Sequence, residues 1–358
     1  MRVLFASDYP HIPENTGGTE INTHELSLAL RDAGHEPTVL ATLIGRGWVG
    51  CRARLKLKLG LGSRWAEDGG LGYPVLRTWN AADALADVID RHRPDVVVVQ
   101  SWRLDMVAVA LDRGCGVVLY SHSANSPYAD TIGGNWARRC VLLANSQFNA
   151  RLQGEALGAT FDVLHPVVHP DRYFAPGPRS RVLHVGLNQR KGAAITVAIA
   201  RLRPDIPFTM VRTWEGLRPP PEDAAIIEMA RALPNIEIMP AQRDPRRLYC
   251  IARIMLVPSA WDEAWGRVVT EAQLNGIPVV ASDRGGLPES VGSGGILLRI
   301  DDDPSVWAHA VGQLWDDPAC HADHASRALR RARQPDVAFG RLRSRFFEFL
   351  DKARQLNG

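Results

Sequence analysis

The chain has no CxxC pair: Cys51, Cys115, Cys140, Cys250 and Cys320 are odd in number and scattered over 358 residues. That spacing offers neither a disulfide framework nor a zinc site, and a reducing cytoplasm is the expected compartment. Charge of one sign is also missing. With 42 Lys and Arg against 39 Asp and Glu, the net charge is only +3, short of the excess of a dedicated nucleic-acid binder, and no such partner is expected. The first residues, Met1-Arg2-Val3-Leu4-Phe5-Ala6-Ser7, form too short an apolar run for a secretory leader, and no later run has the length of a membrane span. Neither half carries the acidic cluster that a catalytic divalent ion needs beside phosphates. No GxGxxG follows the first apolar run, which removes the usual sign of a nicotinamide dehydrogenase.

What the chain does have is a hydrophobic fraction of 46% over a length greater than one ordinary core, so two domains of similar size are expected, although a single barrel also fits. Short apolar runs alternate with helical patterns: Val3 to Ala6, Thr38 to Ala41, Val75 to Arg77, Val96 to Val99, Val117 to Tyr120 and Val141 to Ala144. Such alternation reads as buried parallel strands joined by helices. The helix from Glu20 to Ala33 stops at Gly34, a natural C-cap. A second series, at Val182 to Val185, Phe208 to Val211, Ile236 to Met239, Ile254 to Val257 and Val279 to Ala281, follows the Pro-rich stretch Tyr173 to Pro178, which reads as a linker. The pattern therefore predicts α/β domains over 1–172 and 178–335, each with ligand residues in its strand-to-helix loops. The tail 338–356 has apolar residues at helical spacing and is expected to complete the first domain.

The densest chemical signal is Pro258-Ser259-Ala260-Trp261-Asp262-Glu263-Ala264-Trp265-Gly266-Arg267-Val268-Val269-Thr270-Glu271. A strand ends in a Pro-Ser turn, a loop carries Glu263, and a helix beginning near Gly266 carries Glu271. Unpaired N–H groups at the helix start suit a diphosphate, and the carboxylates suit hydroxyls. An arbitrary Glu pair at this spacing is most often two solvated side chains. Here it is followed by Asn275-Gly276-Ile277-Pro278 and by Gly285-Gly286-Leu287-Pro288-Glu289.

With these residues together, the chain resembles the retaining glycosyltransferases of family 4, whose GT-B fold has two facing Rossmann-like domains and an interdomain cleft. The resemblance implies transfer of a hexosyl-type sugar from a nucleotide-diphosphate sugar to a glycan, lipid-linked or small-molecule acceptor, without a catalytic metal or other cofactor. It implies that Glu263 bonds the donor sugar and Glu271 the ribose, with Ala264, Trp265, Gly266 and Arg267 around the donor. Gly17 and Gly18, before the first helix, correspond to a Gly pair facing the donor phosphate, and His122, after Tyr120-Ser121, to a His lying against the transferred sugar. In the loop Gly186-Leu187-Asn188-Gln189-Arg190-Lys191-Gly192, Lys191 matches the family's phosphate-binding Lys. The family's Arg, however, is replaced by Leu187, leaving Arg190 or Arg267 for its role. His122, Glu263 and Lys191 are the catalytic candidates.

Further matches, Ala144 to Phe148 and His165 to Tyr173, extend the likeness over most of the chain; Asn145 or Ser146 is expected to cap a helix. The basic segment Arg46 to Arg64 alternates Leu with cations from Arg54 to Leu61, which fits an extended edge and leaves peripheral membrane contact open beside a solvated loop. Two other readings share the fold: a nucleotide-sugar epimerase, and a non-catalytic sensor of nucleotide sugars.

Overall fold

Runs of valine, leucine and alanine without a charge inside them can bury both faces, and in the computed structural model they form two parallel sheets. The structure describes residues 1–60, 64–100, 103–124, 135–212 and 220–357. Contacts divide the chain into two units: Met1–Val167 with Gly340–Gly358, and Val168–Phe339.

In the first unit the elements run β1 Arg2–Pro10, α1 Gly18–Asp32, β2 Glu36–Thr42, α2 Gly47–Lys58, β3 Ala66–Asp68, β4 Val75–Thr78, α3 Ala81–His92, β5 Val96–Val99, α4 Asp105–Asp112, β6 Gly116–Ser121, β7 Val141–Ala144, α5 Gln147–Leu157 and β8 Asp162–Val163. The sheet order is β3-β4-β2-β1-β5-β6-β7-β8, parallel except for the β3–β4 pair. The switch in chain direction lies between β1 and β5, where ligands gather in doubly wound sheets.

The second unit runs α6 Pro170–Tyr173, β9 Arg181–Val185, α7 Ala193–Leu202, β10 Phe208–Val211, α8 Pro221–Arg231, β11 Ile236–Met239, α9 Arg246–Tyr249, β12 Ala252–Val257, α10 Arg267–Leu274, β13 Val279–Ser282, α11 Leu287–Val291, β14 Gly295–Leu298, α12 Pro304–Asp316 and α13 Pro318–Ala332. Its sheet, β11-β10-β9-β12-β13-β14, is parallel throughout and switches between β9 and β12. The last helix, α14 Phe339–Asn357, buries Leu342, Phe346, Leu350 and Ala353, and stacks Phe346 on Phe5 of β1 at 6.1 Å. Gly116 lacks the side chain that would meet the Ala353 carbonyl, so β6 starts against the backbone of α14.

Two expectations need correction. Residues 54–58 are helical, as part of α2, not an extended edge. Arg, Leu, Lys and Ala are strong helix formers, no β-branched residue follows Val49 in this stretch, and propensity overrode the alternating pattern. Leu61 and Gly62 of the same segment lie outside the described residues. The stretch 173–178 is not a linker but a packed part of the second unit: the Ala175 N–H donates to Asn275 Oδ1, and Asn275 Nδ2 donates to the Tyr173 carbonyl. Tyr173 and Ala175 are buried there.

Candidate functional site

The loops after β9 and β12 leave neighbouring strands at the switch point of the second unit, so their side chains meet. The β9–α7 loop is closed by Gly192 at φ +74°, where a Cβ would stand 1.7 Å from the Pro258 carbonyl oxygen. Only glycine lets these backbones touch. The Ala260 N–H donates to the Arg190 carbonyl at 2.8 Å, and Asn188 Oδ1 accepts from the Lys191 N–H at 3.0 Å. So fixed, Lys191 Nζ and the Arg190 guanidinium lie 5.1 and 5.6 Å from the Trp261 ring centre. Both contacts are cation–π attractions.

Lys191 Nζ also donates to Glu263 Oε1 at 2.5 Å, and the same oxygen accepts from Ser259 Oγ at 2.8 Å. Burial pushes the Glu263 carboxyl up. The Lys191 charge, with the hydrogen bonds from Lys191 and Ser259, outweighs burial and holds it below the ordinary range. Glu263 is therefore a carboxylate that can only accept hydrogen bonds. Its backbone is gripped from behind, because the Gly286 N–H donates to the Glu263 carbonyl at 2.7 Å and a Cβ on Gly285 would stand 2.4 Å from that oxygen.

Glu271 belongs to a second group in the same unit. Its Oε2 accepts from Tyr249 OH at 2.5 Å and its Oε1 from Arg267 Nε at 3.2 Å, while Arg267 also donates to Tyr173 OH at 3.0 Å. Burial, then the Glu271 charge, raises the Tyr249 hydroxyl well above its usual pKa, which keeps it a proton donor. Each Glu271 oxygen retains a second lone pair for a ligand hydroxyl. Trp265 is a core residue whose Nε1 donates to Thr270 Oγ1, so its ring does not line a site, whereas Ala264 and Gly266 are half-buried. Leu187 sits in an apolar cluster with Val197, Met210 and Ile226, so the expected Arg is replaced by core. Of the two cations weighed for its role, Arg190 is exposed beside Lys191 and Arg267 is buried against Glu271.

In the first unit, Gly17 precedes α1 and Gly18 is its first residue. A Cβ on Gly17 would stand 2.5 Å from Glu20 Oε2, so its absence lets that carboxyl fold back over the helix start. Burial raises the Glu20 carboxyl to about 7, against hydrogen bonds from its own N–H, Asn15 and Gly17. His122 follows β6. Its Nε2 is 3.0 Å from Gln100 Nε2, and Gln100 Oε1 accepts from Thr23 Oγ1 at 2.6 Å, so the loop after β5 and helix α1 fix the ring. The His122 carbonyl accepts from Asn145 Nδ2 at 3.3 Å, while Ser146 caps α5 through the Asn149 N–H.

The structure thus groups Lys191, Arg190 and Glu263, and separately Arg267 and Glu271, within one unit; Gly17, Gly18 and His122 belong to the other. Sequence reasoning missed Ser259, Trp261, Tyr249 and Gln100. The first two stood inside the quoted motif, but nothing local marks Tyr249 or Gln100. Among the described residues no group of three His, Cys, Asp or Glu is placed to hold a metal ion, and no helix is long and apolar enough to cross a membrane.

Comparison with known proteins gives matches in both units. Residues 17–157 match the model of a glycosyl transferase 4-like domain, and residues 179–317 that of glycosyl transferases group 1. The chain is 31% identical over 250 residues to a D-inositol 3-phosphate glycosyltransferase of Nocardia farcinica, covering 60% of this chain and 54% of that protein. A protein of the same description from Corynebacterium jeikeium is 47% identical over 78 residues, 21% of this chain and 18% of its own. The chain thus spans about half the length, or less, of these curated relatives. Among solved structures, Anabaena Alr3699/HepE in complex with UDP-glucose gives a TM-score of 0.75 at 20% identity, covering 98% of this chain and 100% of that one. A glycosyltransferase from Rickettsia africae gives 0.72 at 16%, covering 98% of each.

Proposed function

We infer, from a chain that belongs to the family 4-like glycosyltransferases of GT-B fold, that it moves a hexosyl-type sugar from a nucleotide-diphosphate donor to an acceptor with retention at the anomeric carbon. The observation that carries this reading is the Lys191–Glu263 pair at the β9/β12 switch point, with Arg190 beside it. Breaking the glycosidic bond builds charge on the leaving diphosphate, and cations fixed on a rigid loop stabilise that charge without reorganising. Lys191 and Arg190 supply it in this proposal, and no step is given to a metal or other cofactor. Glu263, held ionised, orients donor hydroxyls, and Glu271 takes the ribose. Gly17, Gly18 and His122 are assigned to the sugar and phosphate side of the same reaction.

The Anabaena neighbour, solved with UDP-glucose, supports a uridine donor, and the curated relatives support a small phosphorylated polyol such as inositol 3-phosphate as acceptor. Five cysteines with no disulfide accord with a cytoplasmic site of action. The test is UDP release from UDP-glucose with and without inositol 3-phosphate, with the product anomer read by NMR. Acceptor-dependent release of UDP and a retained anomer support transfer. UDP binding with no release under either condition identifies a sensor, and sugar interconversion without acceptor identifies an epimerase.

A further inference from the structure

The two cations of the β9–α7 loop are held in different ways. Lys191 has a carboxylate partner in Glu263 as well as the Trp261 ring. Arg190 is exposed and has no carboxylate partner among the described residues. Acids of the adjoining segments are committed elsewhere: Asp262 pairs with Arg284 at 3.1 Å, and Asp223 Oδ1 accepts from the Gln189 N–H at 2.8 Å. What holds the Arg190 guanidinium is the Trp261 ring, whose centre lies 5.6 Å from Cζ.

The ring is itself half-buried on a chain that is tied down on both sides of it. Before it, the Ala260 N–H donates to the Arg190 carbonyl, and Ser282 Oγ donates to the Ser259 carbonyl at 2.8 Å. After it, the Gly286 N–H donates to the Glu263 carbonyl at 2.7 Å. An arginine free in water must lose its rotamer freedom when it binds a ligand, and one already docked on a fixed surface has lost part of it in advance. A carboxylate would also dock it, but would cancel its charge. An aromatic face attracts the cation and leaves that charge in place.

We propose that Trp261 is a positioning residue for the donor's diphosphate, its ring holding the Arg190 guanidinium, uncompensated by any carboxylate, where it meets phosphate oxygens beside Lys191. The proposal rests on the reading of the chain as a nucleotide-sugar transferase, and assigns Trp261 a part in it that neither Glu263 nor Lys191 supplies. Lys191 keeps its Glu263 partner when the ring is removed, so loss of the ring acts through Arg190.

The test is calorimetric binding of UDP and of uridine to the full chain, because their difference reads what the phosphates contribute. Arg190→Gln and Trp261→Leu should each weaken UDP roughly ten-fold and leave uridine unchanged. The double variant should bind UDP no more weakly than either single one, because an Arg190 without the ring already contributes nothing. Trp261→Phe keeps an aromatic face and should stay within about two-fold of the wild type. Multiplied losses in the double variant, or wild-type UDP affinity in Trp261→Leu, overturn the proposal. Equal losses of UDP and uridine binding in Trp261→Leu overturn it too, since the ring then only supports the fold. Arg190→Gln alters an exposed side chain and decides the matter even where Trp261→Leu does not fold: full UDP affinity in that variant overturns the proposal. A wild type that binds UDP no more tightly than uridine overturns the donor reading itself, and this proposal with it.

Discussion

Lys191→Met isolates what the Lys191–Glu263 pair does for the fold. Met keeps most of the aliphatic length and removes the charge, leaving the Glu263 carboxylate 10% exposed with Ser259 still donating to that oxygen. Removing one partner from a fully buried pair costs about 3–5 kcal/mol. The Lys191 side chain is 30% exposed, so water already screens the pair and a loss of about 2 kcal/mol is expected at pH 8. The reverse change, Glu263→Gln, leaves a Lys that can turn to water, and should cost about 1 kcal/mol. The double variant should restore most of the loss, giving a coupling energy of about 1–2 kcal/mol. Acidity supplies a second signature. In the wild type the Glu263 carboxyl is depressed, so its contribution is present above the usual carboxylate pKa of 4.5 and fades only as pH falls below it. In Lys191→Met, burial is opposed only by the remaining hydrogen bonds, the carboxyl is expected to rise above 4.5, and the stability deficit should shrink as pH drops from 8 toward 5. Urea unfolding of the four proteins at both pH values measures all of this. A deficit equal at pH 8 and pH 5, or a double variant whose loss is the sum of the singles, refutes it. Turnover should not return in the double variant even where stability does.

Three other outcomes follow from the same geometry. Gly192→Ala places a Cβ at φ +74° against the Pro258 carbonyl, and a loss of about 3 kcal/mol or more is expected in urea unfolding. Glu20 has a carboxyl raised to about 7 from 4.5, so its penalty is absent below pH 4.5 and grows as pH rises to 7. Glu20→Gln should thus raise Tm at pH 8 by removing a penalty of order 2–3 kcal/mol, while changing little at pH 4.5. Glu271→Ala leaves Tyr249 and Arg267 without their carboxylate and should weaken UDP binding roughly ten-fold or more by calorimetry, if the carboxylate bonds the ribose.

Strands buried on both faces were the most legible part of the sequence. The bounds expected for Val96–Val99, Val141–Ala144 and Phe208–Val211 coincide with the fully buried β5, β7 and β10, because an apolar run between turn residues has few other uses; those for Ile236–Met239 coincide with β11, a half-buried edge strand. Missed were β3, β8 and β14, all at sheet edges. Pairing on one side lets a strand be as short as Asp162–Val163, too brief for any periodicity. Around α2 the exposed Leu55 and Leu59, with the inward Leu57 between them, made a false period of two. The helix exists because Arg52 to Lys58 are strong helix formers and because Glu14 and Arg77, distant in sequence, fix its start.

For the candidate site, the sequence pointed to particular loops but not to how their charges are shared. Glu263 and Glu271 look alike in a motif, yet the fold gives them opposite partners. Glu263 faces a cation 72 residues away that water also reaches. Glu271 faces a buried Arg and a tyrosine hydroxyl that cannot leave without being stranded in the core. The Arg267–Glu271 pair, four residues apart on α10, is legible in the spacing, whereas Lys191 and Tyr249 reach their carboxylates only through the fold.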